Sequence, residues 1–256
     1  DGQMRDYRLA IASTIEYSDF HVQQAGLSTG TLAQKKAAVL AAMVVTVTRV
    51  VGIYEKDFSL TMQLVANNDL LIFITSDSFS NDSSSVLINQ SQSVIDATLP
   101  GGLSSYDIGH TVSTGGGGLA QLNSPCTNGK ARGITGSASP VGDSYDVDYV
   151  AHEMGHQYGG PHTFNGSQGS CSGNRTASNA YEVGSGTTIM AYAGICSPQN
   201  VQSNSDAYFH QKSLQMIWAN ISTGNSSTCG AYSATGNTEP TAAAGQNWTI
   251  PISTPY

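Results

Sequence analysis

The sequence contains few charged residues, and few of these are basic. Lysine and arginine together number 10 among 256 residues, against 18 aspartates and glutamates, which gives a formal net charge of -8. Proteins that bind nucleic acid or an anionic membrane select for a basic surface. The charge balance therefore argues against both as partners, and an electrostatic partner would be cationic.

An uninterrupted apolar run of membrane-spanning length is also lacking. The longest apolar stretch, AAVLAAMVVTVTRVVGIY at 37–54, contains three polar residues and follows Lys35 and Lys36, whereas a span needs about 20 mostly apolar residues. This stretch is predicted to form a core helix. The chain begins DGQMRDY, with no charged-then-apolar leader, so a secreted protein would be processed from a longer precursor.

Cysteine is scarce, and no two cysteines have the two-residue spacing of a thiolate zinc site or a redox motif. The four are Cys126, Cys171, Cys196 and Cys229. They form either two disulfides or four buried thiols. The low charge and the abundance of Ser, Thr, Asn and Gly favour an extracellular protein with two disulfides, and the sequence alone leaves three pairings open.

Strand and helix patterns alternate in the first half of the chain. Val39, Met43, Val47, Val50 and Tyr54 form an apolar stripe at helical spacing. A second helix is predicted before Pro100, which stops it. Strands are predicted at YRLAIASTI (7–15), FSLTMQLV (58–65), LLIFI (70–74), YDIGHTVS (106–113) and KARGITG (130–136). This order predicts an α/β (α+β) fold in which helices pack on a twisted sheet.

The second half of the chain is less regular. Residues 165–205 are rich in Gly, Ser and Asn, and a helix is then predicted over 205–221 with Ser205 or Asp206 as its N-cap. Residues 231–256 have the composition of a linker. The apolar residues Trp248, Ile250, Ile252 and Tyr256, with Pro251 and Pro255, suggest either an extended strap on the domain or the first strand of a following β module.

Three of the six histidines crowd into YVAHEMGHQYGGPHTF at 149–164. His152 and His156 are four residues apart, so on a helix they lie on one face and can bind one ion. Glu153 projects about 100° around that helix, beside the metal without ligating it, where a general base would stand. The other histidines have no partner at ligand spacing and are predicted to be structural: His21, His110 and His210.

The chain after this helix is predicted to return to the ion. A helix over about 149–158, capped by Asp146 or Asp148, would end at Gly159, because glycine readily adopts the left-handed conformation that reverses the chain. The reversed chain brings back His162. Three neutral imidazoles with an open fourth position are typical of a catalytic zinc site, whereas four protein ligands indicate a structural one.

These residues resemble a known signature. HEMGHQYGGPH is similar to the zinc-binding motif of the metzincin metallopeptidases, and TTIMAYAG supplies Met190 where that superfamily has its methionine turn. The chain most resembles reprolysin-type (adamalysin-like) enzymes, especially bacterial ones. The segments that carry this resemblance are YDIGH at 106–110, DYVAHEMGHQYG at 148–159 and HTF at 162–164.

The resemblance implies an architecture. A twisted mixed sheet with packed helices would lie above the zinc cleft in an upper subdomain, residues 1–163, which contains the active-site helix. A smaller irregular lower subdomain, residues 164–230, would hold the methionine turn and one C-terminal helix. Residues 231–256 would be a linker-like tail or the remnant of a following β module.

The resemblance also implies further residues. The disulfides would be Cys126–Cys229 and Cys171–Cys196. Residues 119–122 (Leu119, Ala120, Gln121 and Leu122) would form the edge strand that pairs with substrate, unless GGGGLAQL is an ordinary glycine loop. The pocket for the side chain after the cleaved bond would be walled by residues 191–203. Met190 would pack beneath the imidazoles.

Two positions depart from the reprolysin pattern. Reprolysins have aspartate after the third histidine, where this chain has Thr163. Tyr192 follows Met190 by two residues, where astacin- and serralysin-type enzymes have a tyrosine that can ligate zinc and swing away. Tyr192 is therefore an additional zinc ligand, an oxyanion stabiliser or a packing residue of the turn.

The sequence therefore predicts a secreted, monomeric zinc endopeptidase that acts on polypeptide substrates. His152, His156 and His162 would bind one Zn²⁺, and Glu153 would be the general base and then the general acid. Calcium is possible, although no D-x-D-x-D-G loop is present. The alternatives are a non-catalytic metzincin-like domain for binding or adhesion, and a structural zinc site with a fourth protein ligand.

Overall fold

The computed structural model describes residues 2–238 and 241–249. Within them a mixed sheet is formed by β1 (Gln3–Ser13), β2 (Leu60–Leu64), β3 (Ile108–Ser113), β4 (Gly117–Ala120), β5 (Gly133–Gly136) and β6 (Ala231–Ala234). The strand order is β2-β1-β3-β5-β4, and β6 also pairs with β1. The helices are α1 (Ile15–Gln24), α2 (Leu32–Phe58), α3 (Ser84–Thr98), α4 (Asp143–Tyr145), α5 (His152–Gln157) and α6 (Gln211–Thr223). The predicted α/β class is confirmed.

The sheet has a parallel centre and antiparallel additions. β1 is parallel to β2 and β3, and β3 is parallel to β5. β4 runs antiparallel to β5 and forms one edge of the sheet. β6 runs antiparallel to residues 3–6 of β1. The first four residues of the predicted linker, 231–234, are therefore part of the sheet and not linker.

The long apolar helix α2 packs on this sheet. It begins with a capping box, in which the Thr31 hydroxyl and the Gln34 side chain each bond the other residue's backbone N–H. Val39, Met43 and Tyr54 from its predicted stripe are buried in the same core as β1 and β2. By length and apolar composition alone α2 could cross a membrane. Its buried face is accounted for by packing, as predicted for a core helix.

The predicted strand LLIFI is wrong. Asn68–Leu71 is a short 3₁₀ helix, and Ile72 makes only an isolated bridge to Ser13. The Asn68 side chain explains this difference: its Oδ1 accepts the Ile11 N–H at 2.8 Å, and its Nδ2 donates to the Ile11 carbonyl at 3.1 Å. One amide side chain thus occupies the backbone groups of β1 that another strand would pair with.

Two helices also differ from the predictions. The helix α1 was not predicted. The predicted start of the last helix at Ser205 or Asp206 is wrong, because the Asp206 N–H donates to the Thr187 carbonyl and α6 is capped by the His210 side chain. In the tail, Trp248 is exposed, while Ile250, Pro251, Ile252, Pro255 and Tyr256 lie outside the described residues.

Candidate metal centre and active site

The helix that carries the first two histidines starts earlier than predicted. Gly142 precedes α4, a π-helical stretch Asp146–Ala151 follows, and α5 continues directly from it. Neither predicted cap acts as one, and those two predictions are wrong: Asp146 accepts a hydrogen bond from the Thr46 hydroxyl, and Asp148 accepts one from the Ser205 N–H. Both carboxylates instead tie the helix to distant parts of the chain.

The helix ends at a glycine that the turn requires. Gly159 has φ of +101°, a conformation that residues with a Cβ rarely adopt. A Cβ added there would also lie 2.2 Å from Asn123 Oδ1. The Gly160 N–H donates to the Gly155 carbonyl. This turn reverses the chain and brings His162 back over α5, as the motif predicts.

The three histidine side chains of the motif converge. His162 Nε2 lies 3.2 Å from His152 Nε2 and 3.0 Å from His156 Nε2. Each Nδ1 lies within hydrogen-bond distance of a backbone carbonyl: Ile189 O (2.6 Å) for His152, Gly160 O (2.6 Å) for His156 and Asn174 O (2.7 Å) for His162. A carbonyl can only accept, so Nδ1 carries the proton and each Nε2 presents a lone pair.

This arrangement fits a zinc ion. Nitrogen atoms at about 2.0–2.1 Å from one tetrahedral zinc are about 3.3–3.4 Å apart, close to the separations between the Nε2 atoms. Burial lowers the pKa of His156 to about 3 and also lowers the pKa values of His152 and His162, so the rings are neutral. Neutral imidazoles held by Nδ1–H···O=C bonds are the usual form of zinc-binding histidine.

Glu153 lies beside this cluster and outside it. Among the described residues, the group of histidine, cysteine and acidic side chains close enough to share an ion consists of the three histidines alone. The Glu153 side chain packs against Gly118 of β4, where an added Cβ would lie 2.2 Å from Oε1. Its Oε2 is buried without a hydrogen-bond partner among the described residues. Burial raises the pKa of Glu153 to about 8.

This contact allows a sharp test of the carboxylate's position. With Glu153 as the general base that the motif predicts, Gly118→Ala is expected to push its carboxylate aside and lower kcat by about 100-fold, the effect of a displacement of about 1 Å at a reacting group, with zinc content unchanged. Gly116→Ala is the matched control, because no atom lies within 4 Å of a Cβ added there. Peptide hydrolysis and zinc analysis on both variants check the prediction, and equal activities would contradict it.

Met190 and Tyr192 lie at the methionine turn. Met190 is fully buried beneath α5, where its Sδ lies 2.4 Å from a Cβ added at Gly155, and its carbonyl accepts the Thr163 N–H. The Tyr192 ring lies 4.6 Å from the His162 ring between centroids and 5.5 Å from the His152 ring. Burial, followed by the charge of Glu153, raises the pKa of Tyr192 to about 12.

Sequence reasoning missed Glu182. Its carboxylate accepts hydrogen bonds from the Thr163 hydroxyl, the Thr187 N–H (2.9 Å) and both the N–H (3.0 Å) and hydroxyl (2.6 Å) of Thr188. Burial raises the pKa of Glu182, but these hydrogen bonds outweigh burial and leave the pKa below its ordinary value. The side chain thus joins the residue after His162 to the turn before Met190. Its one sequence signal is that no other carboxylate occurs between Thr163 and Ser205.

Removal of this carboxylate is expected to loosen the metal centre. In Glu182→Ala four donors lose their acceptor, and we expect the free energy of unfolding to fall by about 3 kcal/mol. Zinc affinity should fall by about 10- to 100-fold, as for other groups that hold ligands in place. Glu182→Gln is the matched variant, because it keeps one acceptor oxygen, and it should lose less. Urea unfolding and zinc competition measure both effects, and unchanged zinc affinity in the alanine variant would contradict this role.

The remaining predicted residues lie around the cluster. The structure joins Cys126 to Cys229 and Cys171 to Cys196, the pairing that the resemblance implied. Leu119 and Ala120 lie in the edge strand β4, whereas Gln121 and Leu122 follow it. His110 is fully buried, with its ring nitrogens 2.8 Å from Gln157 Oε1 and Thr135 Oγ1. His110 therefore anchors the end of α5 to the sheet.

A comparison with known protein families agrees with this site. The profile of the reprolysin-like metallopeptidases of family M12B matches residues 36–219, well over half of the chain. No curated protein matches the sequence. A solved structure described as "Structure of a chaperone-substrate complex" is 12% identical over 87% of this chain and 35% of that chain. Its TM-score is 0.45.

The family match confirms the resemblance predicted from the zinc-binding motif and the methionine turn. It supports zinc as the metal of the three-histidine cluster, which lies inside the matched residues. The chain belongs to the reprolysin-like M12B family of metallopeptidases.

Proposed function

We propose that this protein is a secreted endopeptidase that cleaves polypeptides by attack of water, with Glu153 as the proton-transfer group. The observation that carries the proposal is the convergence of three Nε2 lone pairs beside a buried carboxylate that is not one of the ligands. A zinc ion bound there supplies Lewis acidity and lowers the pKa of its bound water.

The chain's own residues define the remaining roles. Glu153 takes the proton of the attacking water and passes it to the leaving amine, as base and then as acid. Tyr192, whose ring borders His152 and His162, donates a hydrogen bond from its hydroxyl to the oxyanion as that charge develops. Met190 holds the floor of the site by packing under α5.

The edge of the sheet supports a position for the substrate. β4 pairs with β5 along one side only, among the described strands. We infer that an extended peptide adds to its outer side, where Leu119 and Ala120 offer backbone groups. Gly117 and Gly118 line the cavity next to Glu153, so such a peptide would lie beside the proton-transfer group. The cleft would separate residues 1–163 from residues 164–230.

The proposal also includes secretion, the absence of nucleic-acid and membrane partners, and a monomeric state. Two disulfides in a chain with no free cysteine among the described residues favour an oxidising compartment. The low number of basic residues argues against nucleic acid and anionic membranes. We propose a monomer that acts on polypeptides, with calcium binding still only a prediction.

The alternative is a binding or adhesion domain that has lost catalysis. Such a domain is expected to lack the glutamate or one ligand histidine, and this chain has Glu153, His152, His156 and His162. Casein and a peptide blocked at both ends distinguish the two. The proposal predicts that both are cut internally, with fragments identified by mass spectrometry, and that a chelator abolishes cleavage. Binding without cleavage would support the alternative.

A further inference from the structure

A cavity of about 420 Å³ adjoins the metal centre. Its walls come from β4, from the helix that carries His152 and Glu153, and from the loops at 191–195 and 203–205. The cavity therefore opens between the proposed substrate strand and the methionine turn. If a peptide binds along β4, a side chain next to the bond to be cut can enter this cavity.

The cavity walls combine apolar surface with acidic charge. Ala191, Ala193, Ile195 and the Tyr149 ring provide apolar surface. The acidic residues that line it are Asp148 and Glu153, and no lysine or arginine is among the described residues that line it. An apolar channel with an acidic group is complementary to an alkyl chain that ends in a cation.

Asp148 is the acidic group that the proposed catalytic step does not use. It precedes His152 by four residues in the same continuous helical segment, so it lies about one turn away. Its Oδ1 accepts the Ser205 N–H at 2.7 Å, and Ser205 also lines the cavity. Its hydrogen-bond donors are neutral, and no basic side chain of the described residues pairs with it.

The environment of Asp148 disfavours an isolated charge. Burial is the main cause that raises its pKa, the charge of Asp143 adds to this, and hydrogen bonds from Ser205 oppose it. A half-buried carboxylate without a cationic partner is costly, and a cation that enters the cavity removes much of that cost. Arg49 is paired with Asp143 through two hydrogen bonds and makes no ion pair with Asp148.

We propose that this cavity selects a basic side chain, lysine or arginine, at the residue that follows the cleaved bond. The proposal rests on the proposed peptidase function. The alkyl stem packs against Ala193 and Ile195, and the terminal cation meets the Asp148 carboxylate. An acidic side chain is repelled by Asp148, and an apolar one leaves Asp148 without a cationic partner.

Peptides that differ in one residue test this specificity. Internally quenched peptides would carry lysine, arginine, norleucine, leucine or glutamate at that residue and be otherwise identical. Norleucine is decisive, because it keeps the alkyl stem of lysine without its charge. We expect kcat/KM for the lysine and arginine peptides to exceed that for norleucine by about 10- to 100-fold, the range for one charge-assisted hydrogen bond. Equal or faster cleavage of the norleucine peptide would overturn the proposal.

A variant assigns the preference to Asp148. Asp148→Asn keeps an acceptor for the Ser205 N–H but removes the charge, and its ratio of lysine to norleucine cleavage should fall towards one. Asp19→Asn removes the same charge from an exposed position on α1 and should leave the ratio unchanged. A preference that survives in folded Asp148→Asn would overturn the assignment.

A binding measurement separates this proposal from the proposed function. The zinc-loaded Glu153→Gln variant should bind the lysine peptide about 10- to 100-fold more tightly than the norleucine peptide, without cutting either. Cleavage of all peptides at equal rates would refute the specificity and leave the peptidase function standing. If the wild-type protein cuts none of them, nor casein, both proposals fail.

Discussion

Glu153→Gln is expected to lower kcat by about 10²- to 10⁴-fold, the contribution of general acid–base catalysis, while the protein keeps one zinc ion per chain. Glutamine has the shape of glutamate and can occupy the same space against Gly118. It cannot take a proton from water at neutral pH. Because Glu153 is not one of the metal ligands, zinc analysis and a peptide assay on one sample should show full zinc content and lost activity.

Glu55→Gln is the control for this variant, because Glu55 is an exposed glutamate on α2. The Glu55→Gln variant loses a carboxylate, as Glu153→Gln does, and should retain full activity. Two results would contradict the role of Glu153. Loss of zinc together with activity would make Glu153 a ligand, and a loss of less than about 10-fold would make it dispensable for proton transfer.

His156→Ala is expected to abolish both zinc binding and hydrolysis. His162 Nε2 lies 3.0 Å from His156 Nε2 and 3.2 Å from His152 Nε2. Without His156, the remaining two imidazoles cannot replace the third ligand. Zinc affinity should fall by more than about 100-fold, the upper range for loss of a group that only orients a ligand. Competition against a fluorescent chelator measures this fall.

His210→Asn is the matched control. The His210 side chain accepts the Lys212 N–H as the cap of α6, and asparagine can make a similar cap. Zinc affinity and activity should therefore be unchanged. Retention of full zinc affinity in His156→Ala would show that the ion is bound elsewhere.

The metal ligands could be predicted because their geometry is local. His152, His156 and His162 lie within eleven residues, and helix spacing followed by a glycine reversal fixes where they point. The segment that leads into α5 could not be predicted in the same way. The two aspartates predicted as its caps instead contact Thr46 and Ser205, which are far from them in the sequence.

The clearest error in the predicted fold arose from a side chain that takes the place of a backbone partner. LLIFI has the apolar run of a buried strand, but the Asn68 amide satisfies both backbone groups of Ile11. Such a contact gives no periodic signal. Glu182 escaped notice for a related reason, because its donors are Thr163 on one side and a turn on the other.

The role of the three-histidine cluster is tested most directly by a zinc titration of the chelated wild-type protein, with peptide hydrolysis followed in the same samples. We expect no activity without metal, and activity that rises in proportion to bound zinc until one ion per chain is held by His152, His156 and His162. Activity that persists in the metal-free protein would contradict it, as would one firmly bound zinc ion per chain without hydrolysis of any peptide.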